Sequence, residues 1–257
     1  MSRRRIDQLL VERSLVTDLK EARARILAGE VIAGEHRIDK VGTLIKSDAP
    51  LRIKTRRAHG FVSRGGLKLE AALARIPLPG RACICVDLGA STGGFTDCLL
   101  KNGAARVYAV DVAYGVLDWS LQKNPKVINL ERRHAAQLTD VDIPESVDVL
   151  VADISFNSLS RLLPHVLVFL KPQAQAYLLL KPQFEAEPHL VEAGGVLRDE
   201  VVREKVVART TAEIKALGFK IQACLESPIR GATGNVEYLL IAQRDAHPVN
   251  GDDQESI

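Results

Sequence analysis

The rhythm of hydrophobic positions changes once along the chain. Up to residue 53 apolar residues come in small clusters; after residue 67 they come in continuous runs separated by amphipathic stretches. Ile6, Leu9 and Leu10 share one face of a short helix over 5–14. A second helix is expected between Thr17, a good N-cap, and Gly29, a good stop, with Ala22, Ile26 and Leu19 turned inward. Val31-Ile32, a turn at Ala33-Gly34, and Leu51-Arg52-Ile53 read as short strands. Together these pieces make a small α+β unit. Residues 54–64 follow as a basic linker that ends in Ser63-Arg64-Gly65-Gly66.

The later part alternates strand and helix. Helices are expected over 67–76, 95–101, 116–122, 159–170 and 200–217, and strands over 83–88, 106–112, 126–130, 147–154, 176–180, 220–225 and 237–243. Continuous apolar strands alternating with helices indicate a parallel sheet covered on both faces. The last two strands are joined by residues 226–236 with no helix between them, which permits an antiparallel hairpin and not a parallel crossover. The expectation is an α/β fold: a seven-stranded, Rossmann-like sheet with an antiparallel last strand, as in class I methyltransferases. The domain boundaries read as 1–58 for the small unit, 59–66 for the linker, 67–244 for the sheet domain and 245–257 for a polar, frayed tail.

Composition adds little until charge is divided along the chain. Hydrophobic residues at 46% and charged residues at 26% of 257 describe an ordinary globular protein. No apolar run reaches membrane-span length and no secretory signal is visible, so a cytoplasmic protein without stable membrane association is expected. The four cysteines (Cys83, Cys85, Cys98, Cys224) and six histidines lack metal-ligand spacing. The net charge of +3 conceals an asymmetry. Residues 1–66 hold 15 Lys and Arg against 8 Asp and Glu, and the remainder 20 against 24. A basic module joined to a mildly acidic domain suggests a polyanion-binding piece attached to an enzyme. Aromatic residues at 4% do not suggest a stacking platform for single strands.

Candidate chemistry begins where the first long strand ends, at Val86-Asp87-Leu88-Gly89-Ala90-Ser91-Thr92-Gly93-Gly94-Phe95-Thr96-Asp97. Its glycines permit tight turns and close backbone approach, but the dinucleotide spacing Gly-x-Gly-x-x-Gly is absent. The acid before the first glycine suits a cationic ligand better than a pyrophosphate. S-adenosylmethionine, with its ammonium and sulfonium, fits that description. Asp111, closing the next strand, is placed to take two ribose hydroxyls. Cofactor contacts are therefore expected from Asp87, Gly89, Ser91, Gly93, Gly94, Phe95, Asp111 and Asp153.

Four polar residues interrupt apolar surroundings: Lys68 at a helix start, Asp153 and Lys181 at strand ends, and Glu237 at the start of the last strand. Carboxyl ends of parallel strands line the ligand crevice. Lysines and acids converging there would let one amine lose its proton and act as a base.

These four residues and the glycine loop resemble the ribosomal RNA 2′-O-ribose methyltransferases of the RrmJ type, with a Lys-Asp-Lys-Glu tetrad. The chain is most similar to the TlyA family, many of whose members carry the name hemolysin. The resemblance rests on Phe61-Val62-Ser63-Arg64-Gly65-Gly66-Leu67-Lys68-Leu69, the loop at 87–97, Asp153-Ile154-Ser155-Phe156 and Leu180-Lys181-Pro182-Gln183-Phe184-Glu185. Arg5-Ile6-Asp7, Leu10, Ala22, Ile26, Gly29 and Val31 fit that family's N-terminal RNA-binding module, similar to a ribosomal protein of the S-four type. Where relatives commonly carry an Asn in a Glu-Arg-Thr-Asn-like run, this chain has Glu131-Arg132-Arg133-His134.

The resemblance implies methyl transfer from S-adenosylmethionine to a ribose 2′-hydroxyl, a cytidine's, in the RNA of a ribosomal subunit or its precursor. It makes Lys181 the base, with Lys68, Asp153 and Glu237 holding it. Arg3, Arg4, Arg5, Arg23, Arg56, Arg57 and Arg64 would grip phosphates without reading sequence. Phe156 is either a core residue or a platform for an extruded base. Competing readings are a small-molecule or protein methyltransferase, which leaves the basic module idle, and a non-catalytic RNA-binding factor, which leaves the tetrad unexplained. A membrane-lytic protein would need a cationic amphipathic segment, and none is visible.

Overall fold

A computed structural model describes residues 3–34, 36–53 and 60–246. The N-terminal elements are β1 (Arg3–Arg5), α1 (Ile6–Glu12), α2 (Leu19–Leu27), β2 (Val31–Ala33), β3 (His36–Ile38), β4 (Leu44–Lys46) and β5 (Leu51–Ile53). β1 pairs with β4, and β2 lies between β3 and β5, all antiparallel. The helices close over these ribbons through a core of Ile6, Leu10, Val16, Ala22, Ile26 and Val31. Two details differ from the sequence pattern. Asp18, not Thr17, caps α2 by accepting the Glu21 N–H, while the Thr17 N–H and hydroxyl donate back to the Glu21 carboxylate. That reciprocal arrangement resembles a capping box. Leu19 is 43% exposed: it shares the helical face of Ala22 and Ile26 but opens α2, and lies past the end of the core those two residues join.

The second part contains α3 (Gly65–Arg75), β6 (Ile84–Leu88), α4 (Gly94–Lys101), β7 (Arg106–Asp111), α5 (Trp119–Gln122), β8 (Val127–Glu131), β9 (Val147–Ala152), α6 (Leu159–Leu162), β10 (Leu170–Leu180), α7 (Pro182–Glu185), α8 (Glu200–Ala216), β11 (Phe219–Glu226) and β12 (Tyr238–Arg244). Seven strands form one sheet in the order β11-β12-β10-β9-β6-β7-β8. All neighbours are parallel except β12, which runs antiparallel to both β10 and β11. The expected fold is the observed one.

Period-two alternation distributes each strand between two cores. Leu150 and Ala152 of β9 point to the face covered by α6 and α8. Val149 and Val151 point to the opposite face, with Leu69 and Leu73 of α3 and Phe95, Cys98 and Leu99 of α4. The central strands β6, β7 and β9, covered on both faces, carry no polar stripe and hold their charged residues within two positions of an end, whereas the edge strand β11 alternates Lys220, Gln222 and Glu226 with buried or half-buried neighbours. One expected helix does not form. Residues 159–170 divide into α6 and two short 3-10 turns, and β10 begins already at Leu170. Pro164 stands at the start of the first 3-10 turn, where its missing N–H costs nothing, but its ring cannot sit inside a regular helix.

Candidate active site

Three of the four tetrad residues owe their position to the ends of strands. Asp153 follows β9 directly, Lys181 follows β10, and Glu237 immediately precedes the antiparallel β12. Lys68 comes from the first turn of α3. All four line one cavity of about 520 Å³. Two ion pairs organise it. Lys68 Nζ stands 2.5 Å from Glu237 Oε2, and Lys181 Nζ 2.6 Å from Asp153 Oδ1. Lys68, Lys181 and Glu237 are 9%, 8% and 3% exposed, so neither lysine is a surface group. A buried charge that lacks a partner is costly, and pairing each lysine with an acid offsets part of that cost. Lys181 also donates to Ser155 Oγ at 3.0 Å.

A second cavity of about 270 Å³ adjoins the first; the two share Gly89, Ser91, Asp153, Ser155 and Phe156. Asp111 lies in its wall. The Asp111 Oδ2 accepts the Ser91 N–H at 2.7 Å and Oδ1 the Ala113 N–H at 2.8 Å. These bonds fix the carboxylate's orientation and leave it lone pairs for a further donor. Leu88, Val110, Val112, Ala135 and Leu162 make the cavity largely apolar, with Arg133 and His134 at its edge. A cavity with an apolar floor, one acid at a strand end and a second acid where it opens into the larger cavity fits a nucleoside that carries positive charge.

The glycine loop supplies the shape. At Gly89, with φ +77°, a Cβ would stand 2.6 Å from the Asp153 carbonyl oxygen, so the loop backbone lies hard against the end of β9. At Gly94 a Cβ would stand 2.3 Å from Ser63 Oγ and 2.9 Å from the Gly66 nitrogen, so the starts of α3 and α4 touch. That contact brings Lys68 to the cofactor loop.

Not every expected cofactor residue reaches the cavities. Gly89, Ser91, Gly94, Phe95 and Asp153 line the larger one and Asp111 the smaller. Asp87 lines neither: it is fully buried, and its Oδ2 accepts the Thr96 hydroxyl at 2.6 Å. It shares a strand face with Cys85, the face under α4, where Thr96 meets it. Burial pushes its carboxyl up to about 7. Gly93 also lines neither cavity; it packs against Leu117 and Leu121.

The basic residues divide similarly. Arg64 lines the larger cavity. Arg3, Arg4, Arg5 and Arg23 are exposed on the small unit. Arg5 is paired with Asp7 at 2.6 Å and Arg4 with Glu12 at 2.5 Å, so gripping a phosphate means exchanging partners. Arg56 and Arg57 lie outside the described residues. Ser155, Gln183, Phe184 and Arg230 also line the larger cavity and carry no chemical signal in the sequence beyond proximity to Asp153 or Lys181, or a place in the loop before Glu237. Phe156 is not a core residue: it is 87% exposed, with its ring centroid 5.0 Å from that of Phe184.

This sheet and this site define a Rossmann-like methyltransferase of class I. The chain belongs to the FtsJ-like methyltransferase family, whose model matches residues 61–244. It is 41% identical over 247 residues to the 16S/23S rRNA (cytidine-2′-O)-methyltransferase TlyA of Mycobacterium tuberculosis, covering 93% of this chain and 90% of that one. It is 36% identical to the protein named Hemolysin A of Brachyspira hyodysenteriae, covering 91% and 98%. The solved structure of a hemolysin-named protein from Streptococcus thermophilus superposes with a TM-score of 0.72 at 36% identity, covering 99% of this chain and 93% of that one.

Proposed function

We propose that this protein transfers the methyl group of S-adenosylmethionine to the 2′-hydroxyl of a cytidine ribose in ribosomal RNA. The observation that carries this reading is the position of Lys181, buried in the wall of the larger cavity, with Asp153 and Ser155, which both cavities share, as its partners. The relative from Mycobacterium tuberculosis is named for cytidine 2′-O-methylation of rRNA, and we assign the same substrate class here. A ribosomal substrate places the protein in the cytoplasm.

Asp111, the backbone at Gly89 and Ser91, and Asp153 would hold the cofactor, which when bound supplies an electrophilic methyl on a sulfonium. The rest is done by the chain. Lys181 in its amine form accepts the proton that the ribose hydroxyl gives up, and Asp153 faces the resulting ammonium. The Lys68–Glu237 pair fixes the opposite wall without adding net charge. Much of the acceleration comes from holding the hydroxyl in line and keeping water out. Phe156, standing free on the rim with Phe184 behind it, stacks on the target base once it leaves its helix. Residues 1–58 act as an S-four-type RNA-binding unit whose arginines, with Arg64, grip phosphates. Among the described residues no helix is long and apolar enough to cross a membrane.

The test is Lys181→Ala with ribosomal subunits as substrate, mapping 2′-O-methylated riboses. Transfer is expected to fall by at least about 100-fold, the lower range for loss of a general base. Cofactor affinity should change little. Near-normal single-turnover transfer would overturn the assignment of Lys181.

A further inference from the structure

The reacting groups stand on two loops that face each other. One runs over residues 153–158 after β9; the other runs over 181–185 after β10 and contains α7, a single turn of helix. They meet at two levels. Next to the sheet, Lys181 reaches Asp153 and Ser155. At the outer end, Glu185 Oε1 accepts the Leu159 N–H at 2.8 Å. Lys181 immediately precedes α7 and Glu185 is its last residue, so one short turn carries both contacts.

Between these two grips sits Phe156 with φ +64°. A bulky residue takes that left-handed conformation only where its surroundings over-determine it. On one side the arch is fixed by Lys181. On the other it is fixed by the start of α6, where the Leu159 N–H is one of the donors that a helix leaves unpaired and Leu159 itself is 1% exposed. Phe184, one residue before Glu185, supports the Phe156 ring. The turn is itself anchored, since Arg209 of α8 donates to the Glu185 carbonyl oxygen. Glu185 is buried and does not line the cavity that holds the tetrad, so it acts only through what it holds.

We propose that Glu185 is a positioning residue of this site: by clasping the Leu159 N–H it fixes the end of the 153–158 arch, and with it sets Ser155 and Phe156 against Lys181. The proposal rests on Lys181 and the adjoining cavity being the site of ribose methylation. Removing the clasp frees the arch without touching Asp111 or the backbone at Gly89 and Ser91. It therefore acts on the placement of the ribose and not on cofactor binding.

The experiment compares Glu185→Ala, Glu185→Gln and Glu185→Asp in the full chain, measuring kcat and KM on ribosomal subunits and cofactor affinity by calorimetry. Glu185→Ala should lower kcat between about tenfold and a hundredfold, the scale of a small misplacement of reacting groups. Its cofactor affinity should stay at the level of the unaltered protein. Glu185→Gln retains an oxygen for the Leu159 N–H and should restore most of kcat, which a role in bulk stability or net charge does not require. Glu185→Asp keeps a buried acid but draws its oxygens back by one methylene from the Leu159 N–H and should lose kcat to an intermediate degree, so the idea is testable even where Glu185→Ala fails to fold. Unchanged kcat in Glu185→Ala or in Glu185→Asp, or a Glu185→Gln variant as impaired as Glu185→Ala, would overturn the clasp. A cofactor-binding but inactive unaltered protein would instead overturn the assignment of the reaction, and the clasp with it.

Discussion

Asp87 and Asp111 read alike in the sequence, each an acid at or near the end of an apolar strand, yet they meet different surroundings. Asp111 closes β7 and faces the smaller cavity, held by the N–H groups of Ser91 and Ala113. Replacing it with Ala removes a charged acceptor and frees the loop at Ser91. Cofactor binding should weaken by about 1–3 kcal/mol, the usual range for hydrogen bonds to a charged group. Calorimetric titration checks this, and unchanged affinity would place the ribose contacts elsewhere. Asp87 is one residue short of the end of β6, which turns it into the sheet-to-α4 core. Its folded-state pKa, raised to about 7 by burial, exceeds the value of about 3.9 expected in the unfolded chain. Between those values the folded protein holds a proton that the unfolded chain has lost. The group's contribution to stability is thus full below about pH 4 and declines until the pH passes about 7. Asp87→Asn, which mimics the protonated acid, should flatten that part of the profile in denaturant titrations between pH 5 and 8. Equal slopes for the two proteins would mean that Asp87 does not bind this proton.

At the level of elements, the strands of the large sheet were legible because burial on both faces produces runs such as 147–152 that no solvent-facing element matches. The tetrad was legible for the same reason: Asp153 and Lys181 are conspicuous as the first charges after such runs. What was not legible depends on contacts distant in sequence. Asp87 and Asp111 share a sheet face, since Asp87 pairs with Ala109, so pattern alone could not show that α4 covers the first while the second, beyond the end of β6, opens onto the smaller cavity. Residues 159–170 have helical spacing, but Pro164 and the early entry of Leu170 into the sheet beside Val147 decide otherwise. Strands β1, β3 and β4 have three residues each, too few for alternation to register, and exist because their partners do. Ser155 and Glu185 take their roles from bonds across 26 residues, to Lys181 and Leu159 respectively.

For the whole molecule, the question is what the basic unit contributes once the catalytic core is complete without it. The core of the small unit, Ile6 to Val31, shares no residue with either sheet core. The large domain instead depends on the segment from Gly60 onward. Lys101 Nζ donates to the Gly60 carbonyl, the Val62 N–H donates to Asp97 at 2.9 Å, and Phe61 is buried in the α3–α4 core. Deleting residues 1–59 should therefore leave a folded domain that binds S-adenosylmethionine. The deleted segment carries 14 Lys and Arg against 8 Asp and Glu, and what remains is net acidic. The truncated protein should methylate ribosomal RNA poorly. The RNA affinity of the full chain should fall steeply with salt, because each neutralised phosphate releases counterions, and that of the truncated protein should fall less. The measurement is methyl transfer to ribosomal subunits and RNA affinity across a salt titration for both proteins. Transfer by the truncated protein at the full-chain rate throughout would mean that the large domain captures the RNA itself, through Arg64, Arg230 and the rim around Phe156, and that the small unit serves another end.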